Sequence, residues 1–182
     1  MDIFSHGLYG GVAFGRRSRP SYWLAFFFGI APDLFSFGLF FILTILGLAE
    51  HPDWRSGQHP DPAGIPGYVH ALYNGTHSLV IFVAVFALVW LIRKKPLYEM
   101  FGWPLHILVD IPTHSEKFFP TPFLWPVSDF HVNGHNWSDP RIFIPNVIFL
   151  IGLYLWFYVI RPRRVRQAQT VEEKVHQSVA SE

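Results

Sequence analysis

The sequence predicts an all-α fold, a polytopic helical membrane bundle of about four spans plus an N-terminal membrane-embedded segment. Three observations carry that prediction. The 182 residues are 51% hydrophobic and only 15% charged, with a mean hydropathy of +0.25, whereas soluble domains carry about 25% charged residues. Apolar stretches recur at 22–48, 78–92, 97–111 and 142–160, and roughly 17–25 residues cross a bilayer. Ten of the 14 Lys and Arg residues fall in three clusters: Arg16, Arg17 and Arg19; Arg93, Lys94 and Lys95; Arg161, Arg163, Arg164 and Arg166.

Residues 1–14 are apolar and glycine-rich but have neither a basic leader nor a cleavage site, so they are expected to stay in the mature chain. The stretch 22–48 is long enough to span, although Gly29 and Pro32 interrupt it. The stretch 78–92 reaches spanning length only with Thr76 and His77. By the positive-inside rule the basic clusters are cytoplasmic. The connecting stretches 49–75 and 113–141, holding only Arg55, Lys117 and Arg141 among the basic residues, are then external. That alternation makes the more polar 97–111 a span as well. The stretch 142–160 qualifies unaided, and 161–182 reads as a polar cytoplasmic tail. The expected organisation is a membrane-embedded unit over 1–160 with this tail, a multi-pass protein of the inner membrane whose first partner is the lipid bilayer.

Composition excludes several functions. With no cysteine there is no disulfide framework, thiolate nucleophile or zinc–thiolate site. A net charge of +1 gives no bulk attraction to polyanions, so no nucleic-acid partner is expected.

Ionisable groups at membrane depth are costly and mark candidate functional sites. The chain has His6, Asp33, His77, His106, Asp110 and His114 in such places. Counted along helices from the nearest basic cluster, the first five lie roughly 15–24 Å above the inner face, so four segments can meet in one layer. His106 and Asp110 are four apart and share a helix face. Pro112 should kink or end that helix, with His114 just beyond it. Imidazole and carboxylate without sulfur suit Zn²⁺, with Mn²⁺ or Fe²⁺ as alternatives, and the candidate ligands are His6, Asp33, His77, His106, Asp110 and His114. Such a metal activates a water for attack, and a second ion can clamp the reacting oxygen. Other readings of these residues stay open: a histidine at a helix start for His6, an interfacial histidine after a turn for His77, and an N-cap after a proline break for Asp33. The His106/Asp110 pair also reads as a hydrogen-bonded proton relay. His131, His135 and Asp139 repeat the four-residue spacing in HVNGHNWSD, where Asn, Gly and Pro argue for a loop.

The ordered set SHGLYGG, GIAPDLF, NGTHSLV and HILVD resembles the prokaryotic membrane-bound metal-dependent hydrolases over residues 1–160. The order His, Asp, His and His-x-x-x-Asp is also similar to the metal framework of zinc-dependent phospholipase C and P1-type nucleases. The resemblance implies His6, Asp33, His77, His106 and Asp110 as ligands, with Asp110 bridging and Asp33 doubling as general base. Phe35 and Tyr73–Asn74 stand where the family often has a second Asp and a His-Arg pair. No second His-x-x-x-Glu is present, so one or two metals are expected.

The function expected from these readings is a membrane-bound metal-dependent hydrolase, using a metal-activated water on a phosphoester or ester of a membrane-associated lipid or small-molecule substrate. Asp33 and Asp110 are its expected catalytic residues, and His131 and His135 its substrate contacts, in an external segment, 118–137, that covers the site. Two other classes compete: a divalent-metal or proton transporter or sensor, and a membrane protein whose core a metal staples without catalysis.

Overall fold

The computed structural model describes residues 1–49 and 62–162. Among these the fold is helical throughout: α1 (Ile3–Phe14), α2 (Arg19–Ile45), α3 (Gly67–Thr76), α4 (Leu79–Arg93), α5 (Gly102–Thr113) and α6 (Pro140–Leu155). Short 3-10 turns at Pro62–Gly64 and Tyr98–Phe101 precede α3 and α5. Residues 50–61, with Arg55, expected in an external loop, and the expected tail from 163 onward lie outside the described residues.

Local chemistry sets the helix starts. Asp2 caps α1 by accepting from the Ser5 amide at 2.9 Å, and Ser18 caps α2 by accepting from Ser21 at 3.2 Å, just before Pro20 in the first turn. Ser78 opens α4 by accepting from the Ile81 amide at 3.1 Å. Lys94 closes α4 in the left-handed conformation at φ 57°. Inside α2, Ser36 and Thr44 donate to the carbonyls of Pro32 and Phe40, both at 2.8 Å. Their hydroxyls are thereby satisfied within the helix itself, which apolar surroundings require.

Two helices are long and apolar enough to cross a membrane, Arg19–Ile45 and Pro140–Ile160, and α3 with α4, bent by 63° at their break, can make a third. The 97–111 segment, expected as a span, is divided between the turn at Tyr98–Phe101 and α5. At 12 residues α5 is about 18 Å long, short of the ~30 Å hydrocarbon core.

Lipid tails are as apolar as leucine, so helices in a membrane associate through close contact of small residues and through polar bonds. The first compact unit, Met1–Ile144, is built that way. The buried face of α2 carries Ser21, Ala25, Gly29, Pro32 and Ser36 at three- and four-residue steps. A side chain at Gly29 would collide with the His6 carbonyl of α1, and one at Gly102 would come within 2.6 Å of the Ala25 carbonyl. Glycine at these two places lets α1 and α5 touch the α2 backbone. Beside this seam an aromatic cluster of Phe40, Ile65, Val69, Tyr73 and Phe119 forms the apolar core. The second unit, Pro145–Glu182, is in its described part the rest of α6 and the wide turn Trp156–Ile160, with Tyr154 stacked on Tyr158 at 5.5 Å.

Candidate metal centre

The seam sets the height of five ionisable side chains. Gly29 admits the α1 backbone at His6, and its carbonyl accepts from His106 Nδ1 at 2.7 Å. One turn further along α2 stands Asp33. The helix runs through Pro32 without a break, so Asp33 is a mid-helix side chain and not the N-cap that a proline stop would have made of it. On α5, His106 and Asp110 project from one face as their spacing requires. The helix continues past Pro112 to Thr113, and His114 is its C-cap. His77 occupies the break between α3 and α4, where its ring stacks on Tyr73 at 3.8 Å.

One ligand atom each from Asp33, His77, His106 and Asp110 lies within 4.8 Å of all the others, so the four can hold a metal ion. His106 Nε2 is 3.0 Å from Asp110 Oδ2 and 3.8 Å from Asp33 Oδ1; His77 Nε2 is 3.6 Å and 3.4 Å from the same two atoms. The ring nitrogens facing the cluster are aprotic in the neutral imidazoles. Each Nδ1 faces a backbone carbonyl, Gly29 for His106 and Tyr73 at 3.1 Å for His77. A carbonyl only accepts, so Nδ1 carries the proton. The two Nε2 lone pairs then face each other at 3.1 Å, with two carboxylates beside them. That arrangement is repulsive until a cation, either a metal ion or a shared proton, sits among the four groups. Carbonyl-anchored imidazoles with free Nε2 atoms are also how metal-binding histidines are commonly oriented.

Two further histidines flank the four. His6 Nε2 approaches Asp110 Oδ1 at 2.9 Å, and the ring stacks on His106 at 3.6 Å. Among the described residues the buried Asp110 Oδ2 finds no hydrogen-bond partner. An orphaned carboxylate oxygen at this depth fits a bound cation. The amino group of Met1, itself positive, pairs with Asp110 Oδ1. His114 Nδ1 stands 3.7 Å from Asp110 Oδ2 and 3.1 Å from the Tyr73 hydroxyl.

The histidines of the 118–137 segment are placed differently. His131 Nδ1 faces the Asp129 carbonyl at 3.0 Å, and Nε2 lies 3.8 Å from Glu116; His135 is exposed. Neither belongs to the four-residue group. What the stretch around these two histidines brings to the end of α5 is hydrogen-bonding backbone: the amides of Gly134, His135 and Trp137 donate to the carbonyls of His114, Pro112 and Thr113 at 2.8–3.0 Å. A side chain at Gly134 would collide with the Pro112 carbonyl. The segment thereby caps the end of α5.

Sequence reasoning named Tyr73 and Gly29 but gave neither a role at the site. Tyr73 is buried, supplies its carbonyl to His77 and its ring as a stacking surface, and donates its hydroxyl to the Phe119 carbonyl at 2.9 Å. Its place four residues before His77 is the signal that marks it. Alongside the cluster runs a cavity of about 470 Å³ reached by Asp33, Tyr73 and His114. The chain matches no family model, and no curated protein or solved structure matches it either.

Proposed function

We propose that this chain is a membrane-bound metal-dependent hydrolase acting on an ester or phosphoester of a membrane-associated substrate. The observation that carries the reading is the pair of opposed Nε2 atoms, 3.1 Å apart and flanked by two carboxylates. The ligands would be Asp33, His77, His106 and Asp110, with His6 and His114 completing the sphere of one or two ions. A sulfur-free set of this kind suits Zn²⁺, with Mn²⁺ or Fe²⁺ as alternatives. The metal would supply Lewis acidity and a nucleophilic water. The side chain of Asp33 is 17% exposed, whereas that of Asp110 is fully buried. Asp33 therefore suits proton transfer at the cavity, while Asp110 would hold the ion and could bridge two. The resemblance of the ordered motifs to membrane-bound hydrolases supports the same reaction class.

The topology belongs to the proposal too. The basic clusters at 16–19, 93–95 and 161–166 mark the cytoplasmic side of a multi-pass inner-membrane protein, which puts the metal site towards the outer leaflet and the tail in the cytoplasm. A second reading, a metal staple without catalysis, draws on the burial of His6, His77, His106 and Asp110, each at most 1% exposed. Elemental analysis of the purified protein beside Asp110→Ala decides first. Bound zinc or manganese lost in the variant, with hydrolysis of a phosphoester or lipid ester lost in parallel, supports the hydrolase. Metal without any hydrolysis supports the staple. No metal in either protein after reconstitution with each ion overturns both.

A further inference from the structure

The cavity beside the metal centre has a shape and chemistry that narrow the substrate. Its volume, about 470 Å³, falls within the ~300–1,000 Å³ of small-molecule sites. Leu34, Phe37 and Phe41 of α2, with Ile65 and Phe119 opposite, make its walls. Among the residues that line it, Asp33, Tyr73 and His114 stand at the edge of the metal cluster, as does Met1, whose amino group pairs with Asp110.

An apolar chamber ending on ionisable groups matches an amphiphile. Water gains little in such a space, since it needs two to four polar partners. The mouth identifies the medium the ligand comes from. Leu34 and Phe41 line the cavity and are also 40% and 45% exposed on α2, and Phe4, another lining residue, is 71% exposed. α2 is long and apolar enough to cross the membrane, so around these residues the surrounding medium is hydrocarbon.

Gly38 completes the geometry. It lies within α2 and lines the cavity, and a Cβ there would meet only the Leu34 side chain, at 3.1 Å from Cδ1. No backbone crowds it, unlike Gly29 and Gly102 in the helix seam. Glycine weakens a helix, and what its missing side chain provides here is room.

We propose that this cavity holds one hydrocarbon chain of a membrane lipid, drawn sideways from the bilayer past Leu34 and Phe41, with the lipid's ester or phosphate group delivered to Asp33, Tyr73 and His114. The inference rests on the hydrolase reading for the fate of the head group. The chain site itself is testable by binding alone.

The test uses the full-length protein in nanodiscs of phosphatidylethanolamine and phosphatidylglycerol, probed with hexadecyl phosphate carrying a diazirine on its chain. Photolabelling is expected at Leu34, Phe37, Phe41 and Phe119, competed by unlabelled hexadecyl phosphate but not by methyl phosphate. Gly38→Phe, which fills the chamber, should reduce labelling roughly tenfold, a loss of about 1.4 kcal/mol in binding, while metal content stays at the wild-type level. Leu34→Trp is a second, independent block should Gly38→Phe fold poorly. Equal labelling in wild type and both variants, or labelling confined to the lipid-facing Phe35, Leu39 and Ile42, overturns the chain site and leaves the hydrolase reading standing. Chamber labelling that persists in a protein without metal or hydrolysis keeps the chain site and removes the reaction.

Discussion

Two stretches of this chain carry the same spacing of the same chemistry. His106 and Asp110 are four residues apart, as are His131 and His135, and His135 and Asp139. The first pair lies on α5, where four residues make about one turn, and its atoms converge at 3.0 Å on a buried cluster. The second set lies on irregular chain, its side chains turned to other partners or to solvent, and contributes only backbone near the site. Spacing is thus informative only where a helix converts it into a shared face. The helix matters here because Gly29 and Gly102 let it approach α2 closely.

The sharpest way to break the contrast is Asp110→Ala. Asp110 contacts His6, His77, His106 and His114, so elemental analysis should find bound metal at background, and a variant retaining its full equivalent would sink the assignment. Gly29→Val should come next. By forcing α1 away from α2 at His6 it is expected to weaken metal binding roughly 10–100-fold, the range for losing an orienting partner; a competition titration with a chromogenic chelator measures it. His114→Ala should cost less, up to about tenfold, because the four-residue group is complete without it. His131→Ala and His135→Ala should leave metal affinity within error. A clear loss in either would mean that the loop side chains close on the ion.

Acidification sharpens the comparison in another way. Metal ligands must be deprotonated, so bound metal should be released as pH falls and protons compete for the imidazoles and carboxylates. A pH titration followed by gel filtration and metal analysis should show the loss in wild type and the same midpoint in His131→Ala. A midpoint that moves with His131 would place that residue in the site.

Much of the site was legible beforehand, for physical reasons that differ by residue. Charged groups in apolar surroundings need partners, so Asp33 and the three buried histidines stood out as soon as the apolar stretches were drawn. Their common height followed from helix rise alone. Counting turns could not show that α2 would continue through Pro32, because whether a proline bends or ends a helix depends on the neighbours that absorb its missing bond. The division of 97–111 between a tight turn and a short helix was equally hidden: no sequence argument singled out Gly102, which serves in the fold as a close contact with the Ala25 carbonyl. Tyr73, noted only as a departure from the family pattern, was given no role because it bears no charge, and its use lies in a carbonyl and a ring face that every tyrosine has.

The break at His77 has a consequence in helix electrostatics. α3 stops at His77 and α5 at His114, while α4 starts at Ser78 and α1 at Asp2, so carbonyl ends and amide ends meet around the same cluster, each equivalent to roughly half a charge of its sign. The main chain therefore offers poles of both signs side by side. A cation among the aspartates would face the carbonyl ends, and an anionic group beside it would find the amide ends within the same few residues.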